Sequence, residues 1–183
     1  MMNLKNTRMR YGLVAILLHW LMVFLLSGLF LAGLYMTSLD YYDPLYHSLP
    51  YWHKSTGLLV MFLLLIRLAW RRVNIKPDAL KTYKNHEIVL ASFIQDTFYI
   101  VILFIGLTGY LISTSEGKGI KITNGLEVPA IVRSIDEDTV DLIGEMHLMM
   151  AILLSSLVVF HALAALKHHF IDQDNTLKRM LGI

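Results

Sequence analysis

The stretch GEMHLMMAILLSSLVVFHALAALKHHF, residues 144–170, decides the fold of this chain. It is apolar enough to cross a lipid bilayer as a helix, since about 20 apolar residues span the hydrocarbon. Yet it carries histidine at positions 147, 161, 168 and 169. Ionisable side chains are rare in membrane helices and usually functional, so this helix is expected to hold a site as well as cross the bilayer.

Three further apolar runs precede this one. The four runs cover roughly residues 13–36, 52–70, 88–114 and 142–166 of the 183-residue chain. The chain is 56% hydrophobic and 16% charged, whereas soluble domains are usually more charged. Backbone polar groups find no water in the hydrocarbon, so each run is expected to be a helix. Short connections predict an all-α membrane protein, a single antiparallel four-helix bundle over residues 1–183.

The lysines and arginines are distributed unevenly between the two ends of these runs. Twelve of the 16 fall on one side, and the four on the other are Lys54, Lys118, Lys121 and Arg133. The twelve are Lys5, Arg8, Arg10, Arg67, Arg71, Arg72, Lys76, Lys81, Lys84, Lys167, Lys178 and Arg179. The positive-inside rule then predicts an inner-membrane protein with both termini in the cytoplasm. The first run is too long for a signal-peptide core and is expected to be retained.

The histidines are expected to pair by depth in the membrane. His147 and His161 are fourteen residues apart, which places them on nearly one helix face and about 21 Å apart along the axis. His19 lies at the depth of His161, and His53 lies at the depth of His147. The result is one pair near each membrane surface.

Two facing imidazoles in apolar surroundings can hold a haem iron from both sides. Zinc is less suited, because two ligands a site are too few and no thiolate or carboxylate completes a tetrahedron. A proton relay remains open but does not explain the paired depths. A lone histidine would more often be an interhelical hydrogen-bonding residue. The chain has no cysteine, which excludes disulfides, iron–sulfur clusters and covalently attached c-type haem.

Four segments together resemble the bacterial cytochrome b561 family over nearly the whole chain. These segments read LLHWL, HKSTGLLVMFLLLIRL, HLMMAILLSSLVVFHALAALKHHF and DNTLKRML. The resemblance is most specific at the C-terminal end, and small members of the family are described as superoxide oxidases that reduce ubiquinone. One departure is Gln95, where relatives often have a histidine.

The resemblance implies two b-type haems. His19 and His161 would hold the iron of the inner haem, and His53 and His147 that of the outer haem. His168 matches a family histidine of the quinone site. Arg67 is either an interfacial anchor or, in the interpretation we favour, a residue of the quinone site or a partner of a haem propionate.

The resulting hypothesis is a superoxide:ubiquinone oxidoreductase that carries electrons from the outer face to ubiquinone at the cytoplasmic face. Outer-loop lysines Lys54, Lys118 and Lys121 could attract the superoxide anion, or be ordinary solvated side chains. Gln95 and Asp96 could hydrogen-bond across helices or contact a propionate. Two alternatives remain open: a cytochrome subunit that links a partner dehydrogenase or hydrogenase to the quinone pool, and a haem-free membrane protein. Lipid is an expected partner, and nucleic acid is not.

Overall fold

The computed structural model describes residues 3–80, 82–123 and 125–183. Lys81, one of the twelve basic residues expected on the cytoplasmic side, lies outside this range. The main elements are four long helices: α1 (Leu13–Met36), α2 (Ser48–Val73), α3 (Asn85–Thr114) and α4 (Glu137–Phe170). Two short strands, β1 (Ile120–Thr123) and β2 (Leu126–Val128), precede α4, and a short helix, α5 (Thr176–Leu181), follows it.

Three of the long helices, α1, α3 and α4, are long and apolar enough to cross a membrane. The expected second span, residues 52–70, lies within α2. That helix carries Lys54, Arg67, Arg71 and Arg72 and is not in this set. The described part of the chain is thus mostly helical, with three apolar helices of membrane-spanning length.

Contacts between helix ends show that neighbouring helices run antiparallel. Arg67 near the end of α2 reaches His19 near the start of α1. Arg71, also near the end of α2, pairs with Asp96 in the first half of α3. Glu87 at the start of α3 pairs with Lys167 at the end of α4. α1 packs on α2, α2 on α3 and α3 on α4, whereas α1 and α4 touch at few points.

The buried core is a thin layer halfway along the bundle, which we call the central layer. All four helices contribute to it, and Leu64 is fully buried there. The layer consists of Met22, Val60, Leu63, Leu64, Val101, Ile102 and Leu154. Large apolar side chains such as Phe24, Phe62 and Ile100 face outward instead, as expected for helices surrounded by lipid.

The two strands form an antiparallel hairpin in the connection before α4, where the sequence indicated only a long loop. Ile120 pairs with Val128, and Gly125 turns the chain with a positive φ of 100° that glycine adopts readily. The hydroxyl of Tyr51, in the first turn of α2, donates to the carbonyl of Ile122 and fastens the hairpin to the bundle. We call this the hairpin end, and the opposite end, which carries both chain termini, the terminal end.

The terminal end is closed by three segments that hold one another. The backbone N–H of Asp78 donates to Arg8 O at 2.8 Å, which joins the α2–α3 loop to the N-terminal segment. The guanidinium of Arg179 in α5 donates to Asp78 O at 2.8 Å. The indole N–H of Trp20 donates to Met180 O at 2.8 Å, which ties α5 to α1. The segment around Arg8 and helix α5 are therefore part of the folded structure.

Candidate functional site

The first histidine pair lies toward the hairpin end. His53 is in the second turn of α2, and His147 is in the third turn of α4. Their ring centroids are 6.4 Å apart, and the ring planes make an angle of 64°. The structure thus brings together the two residues that were expected to share a depth.

A threonine that the sequence analysis missed orients His147. Thr108 of α3 has its hydroxyl 3.1 Å from His147 Nδ1. The same hydroxyl donates to Phe104 O at 2.9 Å and Ile105 O at 3.0 Å, so it is available to His147 as an acceptor. His147 Nδ1 then carries the proton, and Nε2 keeps the lone pair that a metal requires. In the sequence, the hydroxyl of Thr108 within a mostly apolar run was the signal that could have pointed to this role.

Glycines leave flat surfaces beside this pair. A side chain at Gly109 would come within 2.9 Å of His147, and one at Gly33 within 3.3 Å of His53. Gly57 and Gly144, one turn from each histidine, border open space. His53 Nδ1 is buried without a hydrogen-bond partner among the described residues. The pair is therefore closely fitted on one side and open on the other.

The second pair lies toward the terminal end. His19 in α1 and His161 in α4 have ring centroids 6.5 Å apart, with an interplanar angle of 62°. Phe98 of α3 packs edge-on against His161 with centroids 5.5 Å apart. His161 is exposed although it lies inside a long apolar helix, because α1 and α4 stand apart here. A flat group could enter between them.

Arg67 connects this second pair to α3. Its Nη2 lies 3.2 Å from His19 Nδ1, and its Nε donates to the hydroxyl of Tyr99 at 3.2 Å. A guanidinium only donates, so His19 Nδ1 accepts, and the proton of the neutral ring is on Nε2. Coordination through Nε2 would require that proton to leave and Arg67 to find another acceptor.

The sequence left the roles of Gln95 and Asp96 in α3 undecided, and the structure shows a partner for one of them. Asp96 accepts from Arg71 at 2.7 Å, and the Arg71 guanidinium lies 5.2 Å from the centre of the Tyr99 ring. Asp96 therefore bonds across helices and gives Arg71 a structural partner. Gln95 makes no side-chain hydrogen bond among the described residues.

The two pairs fit an iron porphyrin better than a bare metal ion. Metal–imidazole bonds of about 2 Å on opposite sides of one ion would hold two ring centroids roughly 6.3 Å apart. The observed separations are 6.5 Å and 6.4 Å. Each pair brings one imidazole from each of two helices, which would suit a haem iron, since its remaining ligands are the porphyrin's own.

His168 lies at the terminal end in a charged cluster. Its Nδ1 is 2.6 Å from Asp172 Oδ2, and the same oxygen accepts from Lys167 at 2.7 Å. That bond to Lys167 holds the pKa of the Asp172 carboxyl below its ordinary value. Along α4, His168 lies two helical turns after His161, a distance of about 10 Å.

The hairpin end carries a half-open cavity of about 760 Å³. Two of the expected outer lysines, Lys54 and Lys121, line it together with Tyr51 and His47. The third, Lys118, lies outside the lining and pairs with Glu116 at 2.7 Å. Glu116 lines the cavity as well. The cavity therefore offers two cations, one carboxylate and aromatic walls, and one of its lysines, Lys54, directly follows His53 in the sequence.

Comparison with known proteins identifies relatives over almost the whole chain. The family model described as prokaryotic cytochrome b561 matches residues 10–182. Cytochrome b561 homolog 2 of Escherichia coli K12 is 41% identical over 181 residues, which are 99% of this chain and 96% of that protein. The probable superoxide oxidase CybB of Yersinia pestis is 27% identical over 176 residues, 94% of this chain and 96% of the relative. Cytochrome b561 homolog 1 of E. coli K12 is also 27% identical, over 94% of this chain and 97% of its own length.

Proposed function

Because the chain belongs to the prokaryotic cytochrome b561 family of membrane electron-transfer proteins, we propose that it is a di-haem superoxide:ubiquinone oxidoreductase. His53 and His147 would hold one b-type haem, and His19 and His161 would hold the other. When bound, the haems supply one-electron oxidation and reduction. The observation that carries the proposal is the two histidine pairs, with centroids 6.4 Å and 6.5 Å apart, on opposite sides of the central layer.

We propose α2 as the fourth span of this single-domain bundle, so that residues 1–183 form one unit with four crossings. Its charges lie toward its two ends, where long side chains reach the interface. Two of them are also paired within the bundle, Arg67 with Tyr99 and Arg71 with Asp96. The twelve-to-four division of basic residues supports an inner-membrane orientation with the terminal end in the cytoplasm.

The reaction takes electrons at the hairpin end and delivers them at the terminal end. Two superoxide anions each give up one electron and leave as dioxygen. Ubiquinone takes up the two electrons and two cytoplasmic protons and leaves as ubiquinol. Lys54 and Lys121 attract the anion to the hairpin-end cavity, which raises its encounter rate. The similarity to the probable superoxide oxidase CybB of Yersinia pestis supports superoxide as the donor.

At the terminal end, Arg67 and His168 form the proposed quinone site. Arg67 pairs with no carboxylate among the described residues, so its charge is available to a haem propionate or to a quinone oxygen. His168 is near the aqueous face, where an imidazole can supply protons near neutral pH.

One observation favours a second function, that of a cytochrome subunit for a partner dehydrogenase or hydrogenase. The cavity of about 760 Å³ is far larger than a diatomic anion needs. A side chain or cofactor edge of a partner protein would fill it better. Co-purification of the chain with such a partner would support this alternative.

The test is haem stoichiometry combined with reduction kinetics of the isolated protein. We expect two b-type haems a chain and rapid reduction of both by superoxide, with reoxidation by ubiquinone. His147→Ala should halve the haem content, and His47→Ala, a matched histidine at the same end, should leave it unchanged. Protein without a reduced b-type alpha band, or full haem content in His147→Ala, would rule out the proposed ligands.

A further inference from the structure

The clearest feature that the proposed function leaves unexplained is the set of charges around His168. His168 Nδ1 lies 2.6 Å from Asp172 Oδ2 and 3.6 Å from Asp174 Oδ2. Nδ1 makes no hydrogen bond to either oxygen, so the contact is one of charge with charge. Two carboxylates at these distances stabilise the ring in its protonated, positively charged form.

Asp174 is itself held in place by two other segments. Its side chain accepts from the Thr82 hydroxyl at 3.2 Å and from the backbone N–H of Thr176 at 2.8 Å. Its own backbone N–H donates to His168 O at 3.1 Å. Asp174 is also 7% exposed and is the one buried charged residue among the described residues. A buried carboxylate costs free energy unless it is paired, which indicates a purpose beyond solubility.

The cluster has the residue types of a metal site, but its cation position is already filled. Ligand atoms of Glu87, His168 and Asp172 lie within 4.8 Å of one another. The Lys167 ammonium, however, donates to Glu87 at 3.1 Å and to Asp172 at 2.7 Å. The lysine therefore supplies the positive charge between these carboxylates, and the cluster suits protons rather than a divalent ion.

The remaining surroundings of His168 set its plane and limit its exposure. Tyr83 packs on the imidazole with ring centroids 4.8 Å apart, and the His168 side chain is 15% exposed. Burial raises the pKa of the Tyr83 hydroxyl, which stays neutral and does not compete as a proton donor. The titratable and charged groups that face His168 are Tyr83 from the α2–α3 loop, Glu87 from α3, Lys167 from α4, and Asp172 and Asp174 after α4.

We propose that Asp172 and Asp174 are positioning residues that make His168 the proton donor to the reduced quinone. This inference rests on the proposed function. Asp172 and Asp174 stabilise the imidazolium, whose Nε2–H bond breaks as an O–H bond forms on the quinone that has received two electrons. The neutral ring keeps its Nδ1 proton, and water at the terminal end returns a proton to Nε2. Two such cycles supply the two protons of one quinol.

The experiment follows reoxidation of the reduced holoprotein by a short-chain ubiquinone as a function of pH. In the wild-type protein the rate should fall as pH rises and the imidazolium is lost. Asp172→Asn and Asp174→Asn remove the stabilising charge, so the midpoint of this profile should move to lower pH by about one unit. The KM for quinone should change little, because neither carboxylate touches the quinone. Asp78→Asn, at an exposed carboxylate of the same end, should keep the wild-type profile.

Two further variants make the outcome decisive. His168→Gln should give a slow rate that no longer depends on pH in this range, and added imidazole should restore part of it. Asp172→Asn serves as the main variant because Asp172 is less buried than Asp174, with 27% of its side chain exposed. Asp174→Asn could disturb folding, which haem content would reveal.

The possible failures can be told apart. Wild-type profiles in both aspartate variants, or a shift to higher pH, would overturn the positioning role while leaving quinone reduction intact. A wild-type holoprotein that ubiquinone cannot reoxidise would instead contradict the proposed function.

Discussion

Arg67 lies at the terminal end beside His19, one of the proposed haem ligands. It donates to His19 Nδ1 and to Tyr99, and it pairs with no carboxylate among the described residues. A cation beside a haem favours the form with the extra electron. We therefore expect Arg67→Gln to lower the midpoint potential of the inner haem by tens of millivolts.

A redox titration of the alpha band measures this effect of Arg67. Arg72→Gln is the matched control, since Arg72 is an exposed arginine on the same helix. Two unchanged transitions in Arg67→Gln, or a shift confined to the outer haem, would show that Arg67 does not act on the inner haem.

Which residues share a depth could be predicted, because depth along a membrane helix is counted in residues. The hydrogen-bond partners of His147 and Arg67 could not be predicted. Thr108 and Tyr99 are on α3, and their contacts with His147 and Arg67 depend on how α3 is rotated against its neighbours. That rotation is decided by packing across the whole bundle. The role of the four histidines as haem ligands stays a prediction.

At the scale of the element, α4 begins with a carboxylate cap whose effect depends on pH. Asp136 accepts from the backbone N–H of Thr139 at 2.9 Å, and this bond lowers the pKa of its carboxyl below the ordinary 3.8. A lowered pKa stabilises the folded state at pH values above 3.8, and this stability is lost as pH falls through the folded value.

Thermal unfolding followed by circular dichroism tests the cap. Asp136→Ala should lower the Tm at pH 7, and the difference from wild type should shrink toward pH 3. Asp138→Ala removes a charge from the same first turn and leaves this hydrogen bond in place. Equal losses in the two variants would mean that the charge, and not the bond, stabilises the start of α4.

Helix α2 offers a direct test of the central layer, because neighbouring leucines face opposite ways. Leu64 is 0% exposed and Leu65 is 59% exposed. Leu64→Ala opens a cavity in a packed layer and should cost about 2–5 kcal/mol. Leu65→Ala loses only outward contact and should cost about 0.5 kcal/mol or less. The free energies of unfolding of the two variants can be compared by titration with a denaturing detergent, monitored by far-UV circular dichroism. Equal losses of stability would contradict the central layer.

The elements were predictable to different degrees. Long apolar runs indicate helices because lipid offers the backbone no other partner. The β1–β2 hairpin carries no such signal, since its two strands together have seven residues and one of its fastenings is the distant Tyr51. The second run also shows the limit of apolarity as a guide, because the charges of α2 find partners only in the folded bundle.

For the molecule as a whole, the proposed orientation can be tested by chemical labelling. The chain has no cysteine, so any introduced cysteine is the single labelled site. A membrane-impermeant maleimide should label Lys118→Cys in intact spheroplasts and should label Lys178→Cys only after the membrane is opened. The reverse pattern would place the terminal end outside and remove the basis for cytoplasmic proton uptake.

The central layer has an electrical consequence. Its seven members are all apolar. In the proposed reaction, electrons would cross this layer from the hairpin end, and the protons of the quinol would be taken up at the terminal end. Each such transfer would separate charge across the bilayer and work against an inside-negative voltage, at a cost of up to about 2.3 kcal/mol for each 100 mV. Turnover would energise the membrane, and it would slow as the voltage grows.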